Sequence, residues 1–305
     1  MKILLLGANG QVGFELQRSL APLGEVVAAT RSGSLPGALP CERVDFHDTD
    51  ALRALCVRMA PQLIVNAAAH TAVDRAEDEE ALAQQANGAA PGVLGHWAAA
   101  NGAAVVHYST DYVFDGSGRR PYREDDATAP LGAYGRSKRA GELALEASGA
   151  EFLNFRTAWV YAARGGNFLR TMLRLARERD RLGVVADQRG APTPARLIAQ
   201  ATACVLARWL ALAPDQRRAT AGHYHLVSAG ECSWHEFAGE IFALALAAGL
   251  IERIPEVAAI ATADYPTKAR RPAYSVLDTR KIATTFGLQL PHWRQGLRDV
   301  IGELA

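Results

Sequence analysis

The chain of 305 residues has no long hydrophobic run at its start: the apolar stretch Ile3–Leu6 ends at Gly7 in "MKILLLGANG". That is too short for the apolar segment of a secretory signal or for a membrane span, and it suits a buried strand. Cysteine is also sparse. Cys41, Cys56, Cys204 and Cys232 lie far apart with no C-x-x-C pair, so neither a disulfide framework nor a thiolate metal site is indicated, and a reducing cytoplasm is the simplest home. Neither sign of charge dominates, with 33 Lys and Arg against 32 Asp and Glu. No electrostatic footprint therefore points to nucleic acid or to an anionic membrane. Internal repeats and low-complexity linkers are absent as well.

What is present is an ordinary soluble composition, 49% hydrophobic and 21% charged, in a chain long enough for a large core. The first half alternates short apolar strands with helical patterns. Strands are expected at Ile3–Leu6, Val26–Ala29, Arg43–Asp45, Leu63–Ala69, Ala103–Thr110 and Phe152–Tyr161. Helices are expected at Gln11–Leu20, after the N-cap Asp48, from about Glu77 to Asn101, and around Tyr134–Lys138. This order predicts an α/β fold, a Rossmann-like doubly wound parallel sheet over residues 1–162. Beyond Tyr161 the pattern loosens. Residues 163–305 read as a smaller, mixed substrate domain, some of whose segments return to the sheet. In it "SWHEFAGEIFALALAAG" is a helix capped by Ser233, with Glu236 at the capping-box position, and Trp234-His235 reads as a helix start packed against the lobe.

"LLLGANGQVGFEL" sets Gly7, Gly10 and Gly13 between a strand and a helix, the context a dinucleotide site requires. Glycines let the backbone approach a diphosphate, and the helix N-terminus offers unpaired N–H groups. Asn9, Gln11 and Val12 belong to the same loop. The second strand ends in Thr30-Arg31-Ser32 with no acidic residue to hold a ribose 2′-hydroxyl, whereas Arg31 could pair with a 2′-phosphate. NADPH is the expected reductant and NADH the alternative. Asp45, with Phe46 beside it, could accept from the adenine amino group, and the small residues Ala67, Ala68 and Ala69 could let the cofactor lie against the sheet.

In "PLGAYGRSKRAGELALE", Tyr134 and Lys138 stand four residues apart, on one helix face. An ammonium there could lower the phenol's proton affinity, although a solvated helix would carry the same pair. The fifth strand ends in "HYSTDYVFDG", which brings Tyr108, Ser109, Thr110 and Asp111 to the same crevice. A phenol, an ammonium and a hydroxyl beside a nicotinamide suit the protonation of a developing alkoxide. His223 and His225 in "GHYHLV" have no further ligands near them in sequence and read as packing or surface residues rather than a zinc site.

Those motifs resemble the extended short-chain dehydrogenase/reductase family. "VNAAAHTAVDRAE", "VVHYSTDYVFDG", "YGRSKRAGE", "FRTAWVYAARGGNFLRTMLRLA", "DQRGAPT" and "DYPTKARRPAYSVLDT" extend the likeness over essentially the whole chain, toward its nucleotide-sugar reductases. The resemblance implies reduction of dTDP-4-dehydro-β-L-rhamnose at C4 to dTDP-β-L-rhamnose, for cell-surface carbohydrate such as O-antigen, by a cytoplasmic homodimer. It assigns Tyr134, Lys138 and Thr110 to catalysis and Thr110, Asp111, Tyr134, Trp159 and Asn167 to the nucleotide-sugar. Tyr108, Tyr134 and Lys138 would also meet the cofactor. Arg189, Lys268, Arg270 and Arg271 are candidate diphosphate cations, and the alternative for Trp159 is core packing at a strand end. Some members are described as dependent on Mg²⁺ at acidic residues of a dimer interface. Glu15 is the one candidate ligand here, and Arg196, where an acid would be expected, disfavours a cation. Two other readings stay open: a nucleotide-sugar epimerase or dehydratase that recycles bound NAD, and a non-catalytic NADP-binding regulatory subunit.

Overall fold

The computed structural model describes residues 1–305, the side chain of Ala38 excepted. From the N-terminus it runs β1 (Lys2–Leu6), α1 (Gln11–Leu20), β2 (Glu25–Thr30), β3 (Glu42–Arg43), α2 (Thr49–Met59), β4 (Leu63–Asn66), α3 (Val73–Ala76), α4 (Glu80–Ala83), α5 (Ala90–Asn101), β5 (Ala104–Thr110), α6 (Ala133–Ala147) and β6 (Glu151–Thr157). It continues through β7 (Val160–Tyr161), α7 (Phe168–Glu178), β8 (Arg181–Val185), β9 (Arg189–Gly190), β10 (Thr193–Pro194), α8 (Ala195–Leu210), α9 (Pro214–Ala219) and β11 (Gly222–His225). The last elements are β12 (Cys232–Ser233), α10 (Trp234–Ala247), β13 (Glu256–Ile260), α11 (Arg280–Phe286) and α12 (Trp293–Gly302).

β4 and β5 are buried at every position, as strands covered by helices on both faces must be. The main sheet has the order β11-β6-β5-β4-β1-β2-β3, and every pairing is parallel. Chain order reverses between β1 and β4, so a crevice opens beyond their carboxyl ends. The expected doubly wound α/β sheet is therefore present, with Asp48 capping α2 through the amides of Asp50 and Ala51.

Several boundaries differ from expectation. β4 stops at Asn66, whose Oδ1 accepts from the Ala68 amide and turns the chain, so Ala67–Ala69 are loop. β3 likewise ends at Arg43, leaving Asp45 beyond it. The helix expected over 77–101 is one short turn, α4, then a π-helical segment at Gln84–Ala89 and α5, with the separate turn α3 just before it. Asn87, buried within that segment, uses its amide on both backbone groups of His70 and on Ser137 Oγ. Finally, the sixth strand breaks after Thr157: Trp159 takes φ +47°, and Val160–Tyr161 leave the sheet to pair with β10.

After that break a second core forms around Tyr161, Leu169, Phe237 and Trp293, contributed by α7, α10 and α12. The Ser233–Glu236 capping box opens α10 as expected. α8 and β11 instead return to the first core. Ile198, Leu206 and Trp209 of α8 pack with Ile3, Leu5 and Leu16, and β11 adds a strand beside β6. His223 bonds Asn154 and Glu146, while His225 is buried against the Asp278 carbonyl, so both histidines are structural here.

One buried ion pair fastens α6 to β6. Arg156 Nε and Nη2 each donate at 2.9 Å to one oxygen of Glu142, and both side chains are almost fully buried. Burial works to raise the Glu142 carboxyl, but the hydrogen bonds and charge of Arg156 outweigh it and hold it down to about 2. A carboxyl depressed in the folded state contributes stability above its unfolded value and loses it as pH falls. This contribution is whole above pH 4.5 and disappears as pH drops toward 2. Removing one partner leaves an uncompensated buried charge, so Glu142→Gln or Arg156→Leu is expected to cost about 3–5 kcal/mol in urea unfolding at pH 7. The paired change Glu142→Gln/Arg156→Met should lose less than either single change.

Candidate active site

A cleft of about 940 Å³ occupies the crevice, lined from the β1–α1 turn to the stretch after Thr157. Gly7 has φ +73°, and a Cβ on it would fall 2.7 Å from the backbone N and Cα of Ala68. Only glycine allows β1 and β4 to release their chains side by side here. α1 starts from Gly10 with no side-chain cap, which leaves its first amides for an anion. Arg31, Ser32, Asp45, Phe46 and His47 line the far end. The His47 amide and ring keep the Asp45 carboxyl below its usual value, with a smaller contribution from Arg31. These features fit a dinucleotide whose diphosphate meets the α1 N-terminus and whose adenosine end meets a guanidinium.

At the other end Tyr134, in the first turn of α6, stands half-buried in the cleft wall. Burial pushes its phenol up to about 12, and the neighbouring Thr110 hydroxyl offsets part of that rise. The phenol is thus fully protonated at neutral pH, the form a proton donor needs. Lys138 Nζ donates to the Tyr108 carbonyl at 2.5 Å and lies 3.4 Å from His107 Nε2. Burial brings the ammonium down to about 8, with Glu142 opposing. The phenol therefore stands above its ordinary value rather than below it because burial prevails, and the Lys138 ammonium rests on the backbone of β5. Thr110 donates to Asp111 Oδ1 at 2.9 Å and accepts from the Tyr112 amide. Burial raises the Asp111 carboxyl to about 6.

The remaining wall is aromatic. Trp159, turned by its positive φ, stacks on Trp234 with ring centroids 3.5 Å apart and planes 6° apart. Gly190 lies against it, since a Cβ there would sit 2.4 Å from the indole. Phe168 flanks Trp234, and Trp234 Nε1 donates to Gln188 Oε1 at 3.2 Å.

Of the residues singled out from sequence, Gly7, Asn9, Gly10, Gln11, Val12, Arg31, Asp45, Phe46, Ala67, Ala68, Ala69, Tyr108, Thr110, Asp111, Tyr134, Lys138 and Trp159 all line this cleft. Gly13, Thr30 and Asn167 are set back from it. A Cβ on Gly13 would be 2.1 Å from the Gly7 carbonyl, so Gly13 packs helix against loop. The Thr30 hydroxyl accepts from the amides of Gly33 and Ser34 and shapes the turn that presents Arg31. Asn167 caps α7 and spends its amide on Gln11 Oε1, at 2.8 Å, and on two carbonyls. The proposed diphosphate cations are also engaged elsewhere: Arg189 with Glu231, Lys268 with Asp78, and Arg271 with Asp74. Arg270 does not line the cleft. Sequence reasoning missed His70, Tyr112, Phe168 and Trp234 in its lining. Tyr112 meets Tyr134 edge-on, and an aromatic directly after the Ser233 cap was the available signal for Trp234.

The model of the RmlD substrate binding domain family matches residues 1–305. A dTDP-4-dehydrorhamnose reductase of Burkholderia thailandensis is 47% identical over 99% of this chain and 100% of its own. The chain belongs to the dTDP-4-dehydrorhamnose reductase family. Among solved members, the reductase of Clostridium acetobutylicum is 35% identical with a TM-score of 0.86, covering 100% of this chain and 99% of its own. That of Bacillus anthracis, solved in complex with NADP, is 31% identical with a TM-score of 0.85 over 99% of both chains.

For this member of the family the residues do not fit a divalent cation. The buried Glu15 carboxylate is met by Arg196 Nε at 3.3 Å and Arg18 Nη2 at 3.2 Å, and among the described residues no three His, Cys, Asp or Glu gather to hold a metal ion.

The stacked indoles carry a testable consequence. Trp234→Ala should remove the support that keeps Trp159 in its strained conformation. An aromatic pair contributes about 0.5–1.5 kcal/mol, so KM for the sugar nucleotide should rise up to about tenfold while cofactor affinity stays unchanged. Near-ultraviolet circular dichroism should lose the coupled-indole signal in the same variant.

Proposed function

We propose that this chain reduces dTDP-4-dehydro-β-L-rhamnose at C4 to dTDP-β-L-rhamnose, with NADPH as the preferred reductant. The observation that carries the reading is the convergence of Tyr134, Thr110 and Lys138 on the cleft that Gly7, Arg31 and the α1 N-terminus prepare for a dinucleotide. The reduced nicotinamide supplies a hydride to the C4 carbonyl carbon. Thr110, on turning its hydroxyl from Asp111 Oδ1, donates to the carbonyl oxygen, and Tyr134 Oη gives that oxygen the proton as charge develops there. Lys138, anchored on the Tyr108 carbonyl, reaches the nicotinamide ribose and offers a charge to the phenolate left behind. Trp159, backed by Trp234, gives the deoxyhexose an apolar face. The preference for NADPH rests on Arg31 at the cleft's far end and is consistent with the NADP held by the Bacillus anthracis relative. The protein works as a cytoplasmic homodimer and needs no metal for hydride transfer.

The test is the loss of NADPH absorbance when purified protein meets dTDP-4-dehydrorhamnose made in the same tube, with NADH run alongside. Oxidation with formation of dTDP-rhamnose is the expected result. Binding of NADPH without oxidation would favour another 4-keto sugar or a regulatory role. Tyr134→Phe should keep NADPH binding by fluorescence titration and lower kcat by roughly 10²–10⁴-fold, the usual value of a positioned acid. Arg31→Ala should weaken NADPH by roughly tenfold, the scale of one charge-assisted contact, and leave NADH nearly unaffected.

A further inference from the structure

Glu15 is a carboxylate on α1 with a side chain only 6% exposed. A carboxylate in that position needs a partner, because removing it from water is costly. Arg18, on the same helix, is 72% exposed and contributes little. The substantial partner comes from α8. Arg196 places Nε 3.3 Å from Glu15 Oε2 and Nη1 2.5 Å from Glu303 Oε1, so one guanidinium bridges two carboxylates. Glu303 lies at the end of α12, on the second core, whereas α1 and α8 belong to the first. Burial raises the Glu303 carboxyl and the charge of Glu15 adds to that rise, while Arg196 opposes both. The two acids are thus close enough to repel, and the fork between them is what lets them share the site.

We propose that Arg196 does internally what a divalent cation would otherwise have to do at this joint. The guanidinium neutralises Glu15 and Glu303 together and ties the end of α12 to α1 and α8, so the stability and assembly of this chain are independent of magnesium. As it stands, two carboxylates face two guanidinium groups, those of Arg196 and Arg18. Exchanging Arg196 for an acid would leave three carboxylates against one guanidinium, an excess of negative charge with an oxygen donor set suited to a hard cation. The inference does not depend on the substrate.

Thermal unfolding of the full chain in EDTA and in MgCl₂, with sedimentation velocity in both buffers, tests it. Wild-type protein should show the same midpoint and the same sedimentation coefficient in each. Arg196→Glu should unfold roughly 5 °C or more lower in EDTA and recover saturably with magnesium. Arg196→Glu/Glu303→Gln, with one carboxylate fewer, should recover much less. Arg196→Gln should be destabilised and indifferent to magnesium, which keeps the test readable if the glutamate variant fails to fold. A wild-type midpoint that falls in EDTA and returns with magnesium would overturn the proposal, because the native joint would then hold a cation. Equal midpoints for Arg196→Glu in both buffers would overturn it too, because the three positions would not converge on a cation site.

Discussion

Three charges are taken out of water against one face of α6, and the site depends on how they balance. Lys138 and Glu142 are one helical turn apart on that helix, and Arg156 faces them from β6. Buried singly, each would be expelled or neutralised. Together they form a cation–anion–cation row in which Glu142 is bound through both oxygens by Arg156 and still favours the charged form of Lys138. Tyr134 precedes Lys138 by one more turn, so whatever fixes the row also fixes the phenol. The β5 backbone completes the arrangement by accepting the ammonium at the Tyr108 carbonyl, one strand away from Arg156.

This arrangement alters the expected division of labour between Tyr134 and Lys138. A cation aimed at the phenol would lower its proton affinity before substrate arrives. Here burial keeps the phenol protonated, and the hydroxyl of Thr110 is the group that pulls the other way. In the proposed reaction the proton would stay on Tyr134 until charge develops on the substrate oxygen.

How much of this was legible in sequence follows from how local each signal is. The glycine turn, the strand ends and the Tyr134–Lys138 spacing are set within a few residues, and those residues line the cleft. Thr30 was placed near the site on the same reasoning and Asn167 by the family resemblance, but their polar groups are consumed by neighbouring backbone and by Gln11. No pattern in "FLNFRTAWVY" announces that the strand will break at Trp159. The cause lies elsewhere, in the pairing of β7 with β10, the gap left by Gly190 and the stack on Trp234. Arg156 and Glu142 were invisible as a pair because each reads alone as a surface charge. Three of the candidate diphosphate cations, Arg189, Lys268 and Arg271, are paired with acids far away in sequence, which local patterns could not announce.

The same long-range pairing explains why α1 is more than the support of a phosphate loop. Its first residue, Gln11, receives the Asn167 amide from the start of α7. One turn on, the ring of Phe14 carries the Arg164 guanidinium 3.4 Å from its centroid, and Glu15 receives Arg196 from α8. Three consecutive ties therefore join the helix whose N-terminus opens on the cleft to segments that follow the Trp159 break. The aromatic wall and the glycine loop cannot shift relative to each other without straining at least one of them. A helix held in this way sets the distance between the two ends of the cleft, so the glycine loop and the aromatic wall are in register before any ligand contributes binding energy.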